Sequence, residues 1–153
     1  VFRALPAAVA ALSLSTASAP LAATVYADSV IGAEFPPITA TVGTFRGVAT
    51  GDLPGLWRVT IRHQPLSAGP SARITGGTFK MRTIDGDSIV SPVTSGSVTV
   101  RDSGAACGNQ TYAIRAGLAV GSFSGTLVHH RASVLGHCVI FAATITGRAN
   151  LTR

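Results

Sequence analysis

Beyond residue 38 apolar residues occupy alternate positions, Gly, Ser, Thr, Asp and Pro fall between the runs, and no helical period is sustained. That pattern predicts short strands in succession. The strands are expected near Thr39–Val48, Leu56–His63, Ala72–Thr83, Gly96–Asp102, Gln110–Val120, Ser122–Arg131 and His137–Leu151, with residues 28–38 supplying one more. Pro36-Pro37, Pro70, Asp85-Gly86-Asp87 and Pro92 punctuate them. Asp85 and Asp87 flank a glycine, as a hairpin turn requires; a calcium loop would need six or more oxygens.

The pleat assigns faces. Trp57, Val59 and Ile61 share one phase, as do Phe79 and Met81, Val98 and Val100, Tyr112, Ile114 and Leu118, Phe123 and Leu127, and Val139, Phe141, Ala143 and Ile145. These point inward. Arg58, Thr60 and Arg62, Lys80 and Arg82, Thr99 and Arg101, and Thr144, Thr146 and Arg148 take the outer phase. Phe141 falls at the centre of the inferred core, so Phe141→Ala is expected to cost about 3–5 kcal/mol. A loose repeat of Gly, a hydroxyl residue and a bulky apolar residue recurs at Gly43, Gly77, Gly96 and Gly121, as if each glycine served a bend where a strand curves. The expected fold is all-β: one small antiparallel meander barrel of about seven or eight strands, closed to remove its edges. A two-sheet β-sandwich is the alternative.

Residues 1–27 break this pattern. Arg3 heads an apolar run from Ala4 to Leu14, followed by a Ser- and Ala-rich stretch, which is the layout of a secretory signal peptide. Cleavage is expected after Ala27, with Ala17 and Ala23 as alternatives, leaving residues 28–153 as a single domain. The run is too short for a membrane anchor, so no span is expected in the mature protein. Cys107 and Cys138 read as one disulfide in a secreted or cell-envelope protein, and closing about 30 residues stabilises by about 3–4 kcal/mol in the chain-entropy model.

Charge narrows the function classes. The net charge is +6, carried by scattered arginines, with Lys80 the only lysine; GC-rich bacterial coding would produce that bias. No basic run with interleaved aromatics is present, so a nucleic-acid partner is not expected. Six carboxylates are too sparse for a glycosidase pair. Gly121-Ser122-Phe123-Ser124-Gly125 has Phe where a nucleophile elbow needs Ser. His129, His130 and His137 make a poor metal set because adjacent strand residues face opposite ways. No motif calls for a metal or a cofactor.

Extending the inward phase to the strand ends gathers His63, Asp102, His129 and Arg131 with Tyr112 at one mouth of the barrel, where Cys107 and Cys138 also fall. The expected function is a binding barrel for a small apolar or anionic ligand, with His129, Arg131 and Tyr112 orienting it and His63 and Asp102 nearby. Phe45, Trp57, Phe79, Phe123 and Phe141 are large enough to fill a small barrel, so this reading requires space at the mouth. One alternative is a cyclase or isomerase; a barrel of this kind resembles allene oxide cyclases and dirigent proteins in fold only. Another is a non-catalytic structural or inhibitory envelope protein. Oligomeric state is left open.

Overall fold

The computed structural model describes residues 22–153. They form β1 (Val25–Glu34), β2 (Val42–Gly51), β3 (Gly55–His63), β4 (Ser71–Thr83), β5 (Ser88–Asp102), β6 (Gln110–Leu118), β7 (Gly121–Val134) and β8 (His137–Thr152). Short 3-10 turns at Leu66–Ala68 and Ala105–Cys107 lie in the β3–β4 and β5–β6 connections. Each strand pairs antiparallel with the next, and β1 pairs with β8 from Val25–Thr152 to Ala33–Thr144. The sheet therefore closes into an eight-stranded barrel and leaves no edge for a sandwich.

The expected signal segment lies largely outside the described residues. Its last part does not: Val25, Tyr26 and Ala27 open β1 and pair with Thr152, Leu151 and Asn150. Ala27 also donates its backbone N–H to Asp52 Oδ2 at 2.8 Å. β5 starts eight residues before the expected strand. Pro92, read as a breaker, lies one residue ahead of the first β5–β6 pair, Val93–Leu118, where a residue without an N–H is tolerated much as on an edge strand.

The inward stripes make one continuous core. Trp57, Phe79, Met81 and Phe123 are buried at mid-barrel, with the Trp57 and Phe123 ring centroids 6.2 Å apart. Trp57 shares a cross-strand row with Gly47 and Gly32. A Cβ on Gly32 would stand 2.8 Å from the indole, so the small residues make room for the large one. The repeat glycines have a backbone cause at three of their four positions. Gly77, Gly96 and Gly121 have φ of +155°, +138° and +140°, and an added Cβ would stand about 2 Å from a neighbouring strand's carbonyl oxygen. At the far end, the buried Asp28 accepts the Leu53 N–H at 2.8 Å, and Leu53, Ile89 and Val120 pack over the core.

Alternation breaks at the upper ends of three strands. The register shifts between Arg62 and His63, between Val100 and Asp102, and between His130 and Arg131. Opposite the last of these, His130 pairs with Ala142 and Arg131 with Ile140, so Phe141 is the extra residue of a bulge. This corrects the expected core. Phe141 is 70% exposed and Val139 44% exposed, because here the β7–β8 hairpin runs on past the barrel body and the pleat loses its phase. Phe141 packs beside the half-buried His130 instead, with ring centroids 6.3 Å apart.

Outside, Arg46, Arg58 and Lys80 stand directly opposite one another on β2, β3 and β4. All three are exposed. Like charges in that arrangement weaken a sheet.

Candidate ligand-binding site

Odd-numbered strands end, and even-numbered strands begin, at the same rim of the barrel. There the core opens into a cavity of about 300 Å³, at the small end of the range for ligand pockets. Its walls are the apolar side chains of Phe45, Ile61, Val98, Ile114 and Leu127, and Thr39, Ala40, Pro65, Leu66 and Ser67 border it from the connecting loops. Trp57, Phe79 and Phe123 do not line it; they fill the barrel below. Space at the mouth and a packed middle therefore coexist.

Three of the five expected site residues line this cavity: His63, Tyr112 and His129. His129 is 8% exposed, held on the last regular inward position of β7 before the bulge. Its Nε2 lies 2.7 Å from Glu34 Oε2. Glu34 ends β1, and β8 lies between it and β7. The two side chains meet because β8 presents the small Ala143 opposite His129. The carboxylate is an acceptor, so the Nε2–H donates. Nδ1 is buried and has no hydrogen-bond partner among the described residues.

Tyr112 stands beside this pair, its ring centroid 5.1 Å from that of His129, and its hydroxyl donates to Gln110 Oε1 at 3.0 Å. Burial pushes the Tyr112 phenol above its ordinary value; Arg131 opposes that shift and Glu34 adds to it. The phenol therefore stays protonated across the neutral range. His63 is a rim group. Its Nδ1 lies 2.7 Å from the Gln64 carbonyl oxygen; a carbonyl only accepts, so Nδ1–H donates.

Asp102 and Arg131 do not join them. Both follow a register shift, and each is engaged with the β5–β6 connection. Asp102 Oδ1 accepts the Gly104 N–H at 2.8 Å. Arg131 donates from Nε to the Gly108 carbonyl at 2.9 Å and from Nη2 to the Ser103 carbonyl at 3.1 Å and to the Gly104 carbonyl. The same connection is tied to the start of β8 by the Cys107–Cys138 disulfide, whose Cα atoms are 5.3 Å apart. The disulfide thus lies at the cavity end of the barrel, although neither cysteine lines the cavity.

Glu34 is the residue that strand reading missed. The signal was present: Asp28, Val30, Gly32 and Glu34 share a phase, and Glu34 is the only glutamate of the chain. Extended to the end of β1, that phase brings Glu34 to the same rim as His129. Among the described residues no group of three His, Cys, Asp or Glu side chains is placed to hold a metal ion.

Fold and site together define a closed meander barrel with a small apolar cavity at one end and a buried histidine–glutamate pair in its wall. No protein-family model matches the chain, and it matches no curated protein and no solved structure.

Proposed function

We propose that this is an exported binding barrel that takes up a small, mainly apolar molecule carrying one hydrogen-bond donor, such as a hydroxyl group. The observation that carries this reading is the unpartnered Nδ1 of His129, a residue in the wall of a mainly apolar cavity. A buried polar atom without a partner is costly, and a ligand donor would satisfy it. With Nε2–H committed to Glu34, the neutral form of the ring offers Nδ1 as an acceptor. An anionic ligand fits less well: the nearest carboxylate anchor, Arg131, is occupied by backbone carbonyls, and Glu34 would repel the anion. Export is supported by the signal-like head of the sequence and by the disulfide.

A set of probes sharing one ring system tests this. Naphthalene, 2-naphthol and 2-naphthoate should be titrated against the purified protein by calorimetry. Binding is expected in the order naphthol, naphthalene, naphthoate, with the naphthol advantage lost in His129→Leu. Equal or tighter binding of the carboxylate would overturn the reading, as would failure of all three to enter.

A further inference from the structure

The same wall has a second capability. We infer that His129, oriented by Glu34, is a general base that removes a proton from an acidic C–H of an apolar carbonyl compound held in the cavity, making the barrel an isomerase of enolisable substrates. This rests on the pocket admitting an apolar molecule, as proposed above, and adds a chemical step to it.

Four observations carry the step. The Nε2 to Oε2 distance of 2.7 Å fixes the imidazole, and because a carboxylate only accepts, Nε2 carries a proton, so the lone pair of the neutral ring is on Nδ1. Nδ1 has no competing partner. Phe45, Ile61, Val98, Ile114 and Leu127 form the apolar part of the surrounding wall, a low-dielectric surface beside which a base's electrostatic contacts are stronger than in water. The fourth is the partner itself: Glu34 Oε2 already faces Nε2, so when Nδ1 takes a proton the ring becomes an imidazolium directly hydrogen-bonded to a carboxylate, the arrangement by which a buried acidic side chain supports a histidine base. In the proposed reaction the C–H bond breaks and its electron pair moves into a C=C bond as the carbonyl becomes an enolate. The proton rests on Nδ1 and is then returned to a different carbon of the same molecule, so atoms and charge balance without a co-reactant. Tyr112 is the donor for the enolate oxygen. Tyr112 is half-buried beside His129, and among the described residues its hydroxyl is hydrogen-bonded only to Gln110, a flexible partner from which it can turn.

Glu34 is a positioning residue in this scheme and His129 is the group that touches substrate. The test uses 5-nitrobenzisoxazole, whose ring opens when a base removes its one acidic C–H. The C–H electron pair forms a nitrile, the N–O bond breaks, and its electrons leave on a coloured phenolate. The unreactive isostere 6-nitrobenzotriazole reports binding alone. Turnover above the buffer rate, blocked by the isostere, is expected. His129→Gln should reduce it about 100-fold or more, within the range for loss of a general base, while the isostere still binds. Glu34→Gln keeps an acceptor for Nε2–H but removes the charge, so kcat should fall about 10-fold with KM for the probe unchanged. Binding of the isostere without turnover in the wild type would overturn the inference and leave the binding reading standing. Turnover unaffected by Glu34→Gln and by the isostere would also overturn it. Failure of the isostere to bind would overturn both.

Discussion

Truncating Arg131 to alanine should destabilise the protein more than truncating Phe141. The Arg131 guanidinium donates to three backbone carbonyls of residues 103–108. Hydrogen bonds from a charged group contribute about 1.5–3 kcal/mol each when well desolvated. Arg131 is only half-buried, so about a third of that total is appropriate, giving about 1.5–3 kcal/mol in all. The disulfide still tethers the loop after the substitution, which keeps the loss in that range rather than above it. Phe141 is 70% exposed. Burying a phenylalanine completely is worth about 1.5–3 kcal/mol, so Phe141→Ala should cost under about 1 kcal/mol. Phe79, 1% exposed at mid-barrel, provides the scale: Phe79→Ala should cost about 3–5 kcal/mol. Urea unfolding of the three variants and the wild type, with the slope checked for constancy, would order them. The reasoning fails if Phe141→Ala falls with Phe79→Ala, or if Arg131→Ala cannot be told from wild type.

Tyr112 links stability to alkaline pH. Its phenol binds its proton more tightly in the fold than at the unfolded value of 10.0, so the stability it contributes is complete below about pH 10 and is lost as pH rises through the folded value; alkaline melts of Tyr112→Phe should show a shallower loss than wild type. Leu135 sits at φ 49° ahead of Gly136 at φ 80° in the β7–β8 turn and is 95% exposed. Leu135→Asn should therefore stabilise by about 0.5–1 kcal/mol in thermal or urea melts, since asparagine tolerates that conformation, and a destabilised variant would refute the turn assignment. Arg58, opposed on both sides by a cation, should gain about 0.5–1 kcal/mol on replacement by glutamate, a gain that shrinks at high salt; a loss would show that the arginine stem's packing outweighs the repulsion. On the proposal that the chain is exported and cut, mass spectrometry of the product should find it beginning at Thr24 rather than Asp28, because a cut after Ala23 leaves all of β1 in place while a cut after Ala27 removes three paired residues; a product starting at Asp28 would count against this.

Alternation of apolar and polar residues by itself determined that this chain is all-β, which residues face in along the middle of each strand, and that seven or eight strands must meander. Strand side chains alternate with period two, and a half-buried strand writes that period directly into sequence. It was enough to place Trp57, Ile61, Phe79, Phe123 and Ile145 in the core, and His63, Tyr112 and His129 around one cavity. Two cysteines were enough for the disulfide. Only tertiary structure decided the rest. Bulges shift the register where strands leave the barrel body, so Asp102, Val139 and Phe141 departed from the phase that continued alternation would give them, and Arg131, beyond the same shift, is taken up by the carbonyls of the β5–β6 connection. A bulge is a local extra residue compensated by contacts from another part of the chain, and nothing in the strand's own pattern announces it. The pairing of Glu34 with His129 is of the same kind. The two lie 95 residues apart and come together only because β1 closes against β8 and Ala143 leaves room between them, a proximity created by closure of the barrel.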